Sequence, residues 1–249
     1  MRAIALVDLD DTLFQTLRKC PPDVPAERLT ALGFATDGSP LSYATPRQMQ
    51  LIEWLSETAW LVPVTARSRD ALMRARLPFT AAICAHGGVI IGEDGKVDAQ
   101  WHAHAVRQSA AYQADLEALC AWVAGEAQRQ VAALRVRVLQ EGELGLYVLA
   151  KHEEVDETAL HDVIDAVAGE VPAGWTIHRN GNNAALMPPW LGKAHAVAAL
   201  LPKLRAAHPD APVIGIGDSL TDAPYMALCD FAMMPRGSQL AARALEPLL

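Results

Sequence analysis

Basic residues are in short supply in this chain. Lysine and arginine number 21 against 29 aspartates and glutamates, a net charge of −8 in 249 residues. That balance argues against a nucleic-acid partner, which calls for a basic surface. Cysteine is scarce too: Cys20, Cys84, Cys120 and Cys229 stand apart with no paired spacing. They read as reduced thiols of a cytoplasmic protein, not as a zinc site or a disulfide framework. No apolar run approaches the roughly 20 residues of a membrane span, so no membrane partner is expected. The first apolar run reaches only from Ala3 to Val7 before Asp8, too short for a secretory leader. Repeats of solenoid length and low-complexity tracts are missing as well. What remains is 51% hydrophobic and 20% charged, the composition of a globular chain. Its length suits one large domain or two modest ones.

What the chain does have is an abrupt change at its start. Ala3-Ile4-Ala5-Leu6-Val7 is followed by Asp8-Leu9-Asp10-Asp11-Thr12. An unbroken apolar run reads as a strand buried on both faces of a parallel sheet. Such a strand delivers its last residues to the carboxyl edge of the sheet, where α/β proteins place ligands. Carboxylates crowded there repel one another, and a hard divalent cation such as Mg²⁺ relieves the repulsion. An aspartate so placed is available for nucleophilic attack. Asp-x-Asp alone is equally a solvated acidic turn.

Three later segments repeat the pattern. Leu61-Val62-Pro63-Val64 ends in Thr65-Ala66-Arg67. Thr65 there suits phosphate oxygens at a helix start, or serves as an ordinary N-cap. Lys193 opens an Ala/Leu-rich helix, where its charge opposes the helix dipole and favours a functional reason for it. Val213-Ile214-Gly215-Ile216-Gly217 runs into Asp218-Ser219-Leu220-Thr221-Asp222. The glycines permit close backbone approach. Asp218 reaches the cation of Asp8, and Asp222 is placed to orient Lys193 or metal-bound water.

In order and spacing, these four segments resemble the haloacid dehalogenase-like hydrolase superfamily. The long gap between Thr65 and Lys193 is similar to its subfamily IIB, the Cof-type and sucrose-phosphate phosphatase-like branch with a type-2 cap. Ala85-His86-Gly87-Gly88-Val89-Ile90 looks like the segment leading into such a cap, and Ala185-Leu186-Met187-Pro188-Pro189 through Lys193 like the return. Asp11, His86 and Thr221 depart from residues common in the branch, and bear on which ester is used.

The resemblance implies an α/β fold, a Rossmann-like parallel sheet core with an inserted α+β cap domain of order αββαββ. The core is expected over 1–88 and 186–249, the cap over 89–185. Core strands are expected at Ala3–Val7, Trp60–Val64, Ala81–Cys84, Val213–Gly217 and Phe231–Met234, alternating with helices at Pro46–Glu57, Arg69–Ala75 and Lys193–Ala206. Periodicity and turns in the middle segment predict a helix over Ala105–Arg129 and strands Leu134–Gln140 and Leu144–Ala150. A helix over Val155–Ala168 and strands Trp175–Arg179 and Ala184–Met187 complete it. Phe34–Tyr43, with Asp37-Gly38 at its centre, reads either as a hairpin or as a surface loop. His102 and His104 share a face only if their segment is extended, and no third metal ligand accompanies them.

The implied activity is Mg²⁺-dependent hydrolysis of a small phosphorylated metabolite, a sugar phosphate, by a monomer or homodimer. By the resemblance, Asp8 is the nucleophile and Asp10 the general acid and base. Thr65 and Lys193 bind the phosphoryl oxygens. Asp8, the Asp10 carbonyl and Asp218 hold the metal, with Thr12 and Asp222 in support. Arg67, His178, Arg179, Asn182 and Asn183 are expected to contact substrate. A phosphomutase, or a non-catalytic sugar-phosphate sensor, is the alternative.

Overall fold

A computed structural model, which describes residues 2–154 and 156–245, contains twenty α-helices and β-strands. In chain order they are β1 (Ala3–Val7), β2 (Gln15–Thr16), β3 (Thr30–Phe34), β4 (Pro40–Ala44), α1 (Pro46–Thr58), β5 (Ala59–Pro63), α2 (Arg69–Met73), β6 (Ala82–Cys84) and β7 (Val89–Ile91). Then come α3 (Ala99–Arg129), β8 (Leu134–Glu141), β9 (Leu144–His152), α4 (Glu157–Val167), β10 (Thr176–Asn180) and β11 (Asn183–Met187). The chain continues through α5 (Lys193–Ala207), β12 (Val213–Ile216), α6 (Ala223–Met226), β13 (Phe231–Met233) and α7 (Gln239–Leu245). Val155, where the helix of α4 was expected to begin, lies outside the described residues. Among the described residues, no helix is long and apolar enough to cross a membrane.

Two compact units result. One combines the residues up to Trp101 with those from Lys193 onward; the other is His102–Gly192. These limits fall later than the 88/89 and 185/186 junctions expected. β7 pairs antiparallel with β6, and the Trp101 indole donates to the Gly87 carbonyl at 2.9 Å. Both contacts keep that stretch with the first unit.

The first unit is organised by a four-stranded sheet of order β13-β12-β1-β5, parallel throughout. β6 joins beside β5 through one parallel bridge, Val64 to Ile83. Its side chains alternate between two apolar clusters. Ala5, Val7 and Leu61 enter one; Ile4, Leu6 and Val62 enter the other. Both faces are therefore covered, and that is why these strands read as unbroken apolar runs.

The residues between β1 and α1 build a separate antiparallel sheet of order β2-β4-β3. The hairpin reading of Phe34–Tyr43 is the one realised. Gly38 takes φ +82°, and the Asp37 carboxylate accepts from the Ser39 amide at 2.9 Å. Thr45 then starts α1 with a capping box shared with Gln48, which satisfies two helix-end donors at once.

The second unit is an antiparallel sheet of order β10-β11-β9-β8. Leu116, Leu119, Val123 and Ala127 of α3 and Leu160, Val163, Ile164 and Val167 of α4 bury one face, against Val148, Ala150, Ala184 and Leu186. α3 starts six residues earlier than periodicity indicated. Asp98 precedes it and accepts the Trp101 amide at 2.9 Å, the geometry of an N-cap. His102 and His104 are thus helical. Positions two apart on a helix do not face each other, so the extended arrangement considered for them is not formed.

Candidate active site

β1 and β12 run side by side, Val7 opposite Ile216, so Asp8 and Asp218 emerge close together at their carboxyl ends. The Asp8 amide donates to the Ile216 carbonyl at 2.8 Å, which fixes the chain just where its side chain matters. The turn that follows needs a left-handed residue, and Asp11 supplies it at φ +65°. Aspartate tolerates that conformation better than most residues. Lys19 pairs with its carboxylate.

Asp8 is buried, and Lys193 Nζ donates to its Oδ1 at 2.5 Å. The same ammonium donates to Asp222 Oδ1 at 2.7 Å. Lys193 is the first residue of α5 and is itself buried. Its position against the helix dipole is offset by two carboxylates. The Thr12 hydroxyl lies 3.3 Å from both Asp8 Oδ2 and Asp218 Oδ1.

The other oxygen of Asp222 organises the neighbouring loop. Asp222 Oδ2 accepts from the Ser219 hydroxyl at 2.8 Å, the Ser219 amide at 3.0 Å and the Asp218 amide at 3.2 Å. Ser219 escaped the sequence reading, although its position directly after Asp218 was a usable signal. Below, the Tyr225 hydroxyl donates to the Ile216 carbonyl at 2.6 Å.

The charges of this cluster do not balance. Burial is the largest influence on Asp8 and pushes its carboxyl up to about 8, with Lys193 opposing and Asp222 adding to the rise. Asp218 is pushed up to about 6, by burial first and then by Asp222 and Asp11. Burial disfavours the Lys193 ammonium, but Asp8 and Asp222 outweigh it and keep the group charged. One ammonium among three carboxylates leaves excess negative charge, which the cluster sheds by holding protons.

Asp8, Asp218 and Asp222 each place one carboxylate oxygen within 4.8 Å of the others. An octahedral ion with bonds near 2.1 Å holds its ligand oxygens roughly 3–4 Å apart, so this donor set suits Mg²⁺. The Asp10 carboxylate is not in the group. It is gripped by Arg67, whose Nε donates to Oδ2 at 2.8 Å and Nη2 to Oδ1 at 2.7 Å. Arg67, expected against substrate, is therefore committed to Asp10, across 57 residues of sequence. Thr65 is fully buried, and its Oγ1 accepts from the Arg67 amide at 3.1 Å.

The remaining residues lie in the second unit. Arg179 forms an ion pair with Asp165 of α4, Nη2 to Oδ1 at 2.5 Å. It pairs across the ladder with Ala184, a residue of the apolar cluster under the helices. Arg179, expected against substrate, therefore takes the helix side of the sheet and is paired with Asp165. Alternation puts His178 and Asn180 on the other side. Asn183, opposite Asn180, shares that side with Lys151. Asn182 donates to the His152 carbonyl at 3.1 Å and accepts from Asn183 at 3.2 Å, which makes it part of the turn's own framework.

The sequence matches no protein-family model and no curated protein. Solved structures do resemble it. The sucrose-phosphatase from Synechocystis sp. PCC6803, in complex with sucrose and phosphate, is 18% identical, with a TM-score of 0.55 over 100% of this chain and 86% of that one. A trehalose-6-phosphate phosphatase related protein is 20% identical, with a TM-score of 0.51 over 93% of this chain and 86% of that one. The C-terminal domain of C. albicans trehalose-6-phosphate phosphatase is 13% identical, with a TM-score of 0.53 over 90% of this chain and 72% of that one. At these identities the likeness is one of fold.

Proposed function

We propose that this chain, which has the fold of these haloacid dehalogenase-like phosphatases, is a Mg²⁺-dependent phosphatase acting on a small phosphorylated metabolite, a sugar phosphate. The observation that carries the reading is the ammonium of Lys193 lodged between Asp8 and Asp222, beside Asp218, at the carboxyl edge of the parallel sheet. A binder of sugar phosphates needs cations and hydroxyls. Burying carboxylates against an anion makes sense when one of them attacks it.

Asp8 attacks phosphorus, and the ester P–O bond breaks as an aspartyl-phosphate forms. Asp10 gives its proton to the departing alkoxide. It then takes a proton from the water whose attack breaks the Asp8–phosphorus bond and releases phosphate. Lys193 neutralises charge on the transferring oxygens and Thr65 positions them. Asp8, Asp218, Asp222 and the Asp10 carbonyl would hold Mg²⁺, which supplies charge neutralisation at the phosphoryl group. Asp222 and Thr12 keep the nucleophile loop and the Asp218 loop in register. We assign the second unit the part of the cap, with His178 and Asn183 as its candidate substrate contacts.

The sugar-phosphate assignment draws on the fold likeness to phosphatases of phosphorylated disaccharides. A mutase needs a second cationic site to hold a bisphosphate while it turns. Arg135 and Arg137, two apart on β8, would be the arginines for it, and Arg135 is paired with Glu153 at 3.2 Å, which favours hydrolysis. A panel of phosphorylated metabolites, assayed for phosphate release with Mg²⁺ and with chelator, tests the reading. Release with one class of sugar phosphate and Mg²⁺ supports it. Phosphoryl transfer between positions of one sugar, with negligible free phosphate, replaces it with the mutase.

A further inference from the structure

Arg67 is held from more sides than a surface ion pair requires. Its amide donates to Thr65 Oγ1 at 3.1 Å, and its carbonyl accepts from Ala85 at 2.7 Å. Its guanidinium lies 4.8 Å from the centroid of the Phe14 ring. Nη2, which donates to Asp10, also donates to Ser42 Oγ at 2.9 Å. Ser42 is 2% exposed and sits in β4, in register with Gly33 of β3 and Thr16 of β2. At Gly33 a Cβ would lie 3.0 Å from Arg67 Nη1 and 3.0 Å from Ser42 Cβ. The small sheet inserted between β1 and α1 thus shapes a slot for one guanidinium.

The slot has a directional consequence. The Arg67 side chain is 14% exposed while that of Asp10 is 35% exposed: the holder is buried and the held group is open. A carboxylate has about four lone-pair positions. The fork takes one on each oxygen and leaves others for a proton. Arginine does not deprotonate in proteins, so Arg67 aims the carboxylate without competing as an acid.

We propose that Ser42 and Arg67 are positioning residues for Asp10: the β2-β4-β3 sheet aims Arg67, and Arg67 aims the carboxylate that exchanges the proton. This rests on the phosphatase reading above. Its consequence is selective. Proton transfer to the leaving group weakens when the fork is loosened, while attack by Asp8 on an ester with a good leaving group does not. A displacement of about 1 Å at such a group costs on the order of a hundredfold.

The test uses Ser42→Ala, Gly33→Ala and Arg67→Lys in the full chain with Mg²⁺. Each is assayed on a sugar phosphate that the wild type hydrolyses and on p-nitrophenyl phosphate. Steady-state kcat and KM are measured alongside the rate and amplitude of the p-nitrophenolate burst. Ser42→Ala and Gly33→Ala are expected to lower kcat on the sugar phosphate about tenfold and Arg67→Lys about a hundredfold, with KM and the burst rate near wild type. Lysine keeps the charge and loses the fork, so it is not expected to rescue. A merely damaged fold lowers the burst amplitude and both substrates by one factor, which overturns the proposal. So does a rise in KM alone, which makes Arg67 a substrate contact, or full activity of Arg67→Lys. A wild type that releases no phosphate from any ester overturns the phosphatase reading, and this proposal with it. An active wild type whose variants show no split overturns the positioning role alone.

Discussion

Gly217 lies against Asp222 so closely that a Cβ at position 217 would sit 2.6 Å from the Asp222 Cβ. The contact is what lets Asp222 turn one oxygen to Lys193 and the other to the Asp218–Ser219 loop. Because the clash is with the root of the side chain, rotation of Asp222 does not relieve it. Gly217→Ala is expected to destabilise the fold by about 1–3 kcal/mol, the usual cost of overpacking. It should also lower Mg²⁺-dependent activity more than the loss of folded protein explains. Urea unfolding and specific activity corrected for folded fraction check this; unchanged values of both would show that the loop accommodates the methyl.

Asp8→Asn preserves shape and removes the proposed nucleophile. Turnover is expected to fall by more than about a thousandfold, and Lys193 keeps Asp222 as a partner, so the fold should survive. Phosphate release and chemical trapping of the acyl-phosphate read it out. Activity within tenfold of wild type would remove Asp8 from the nucleophile role.

The pH response of the metal-free protein follows from the raised carboxyls. Asp218, pushed up to about 6, and Asp8, pushed up to about 8, bind protons more tightly folded than unfolded, where the value is 3.8. Their stabilising contribution is full below the unfolded value and is lost as pH rises through the folded values. Without metal, the melting temperature should therefore fall from pH 5 to pH 8. Mg²⁺ competes with those protons, so its stabilising effect should be larger at pH 8 than at pH 5.5. Thermal melts with Mg²⁺ and with chelator at both values decide it, and an equal shift at both would contradict the crowded-carboxylate account.

Arg179→Ala removes a pair whose Asp165 partner is 65% exposed, and such pairs are worth about 0–1 kcal/mol. Little change in stability or in substrate preference is expected. His178→Ala, on the other side of the same strand, should lower kcat/KM for a sugar phosphate more than for p-nitrophenyl phosphate. Kinetics of the two variants on both esters compare the faces; a preference change in Arg179→Ala alone would reverse the assignment.

Asp8, Thr65, Lys193 and Asp218 were legible in the sequence for one physical reason. Three follow an apolar run that is unbroken because both faces of the strand are covered, and the fourth opens a helix. The same signal located β1, β5 and β12 to within a residue or so. The start of α3 was missed because its cap, Asp98, is followed by Trp101 and two histidines rather than by an apolar stripe. Arg67 was noticed, but its pairing with Asp10 was not foreseen. Nothing local tells a guanidinium which of several aspartates it will meet, and Asp10 is brought to it only when β1 and β5 pair.

The sequence alone determined the alternation of strands and helices, because burial on two faces or one writes itself into hydrophobic periodicity. It determined, too, that acidic residues gather at one sheet edge, because a parallel sheet brings the ends of separate strands together. Tertiary structure decided the rest. The side of the second unit's sheet to which Arg179 belongs is a matter of parity, and a shift of one residue in register reverses it. The slot around Arg67 needs Gly33, Ser42 and Phe14 from a sheet whose residues carry no motif. Contacts between residues distant in sequence depend on how strands are ordered and packed, and no local pattern of side chains encodes that order.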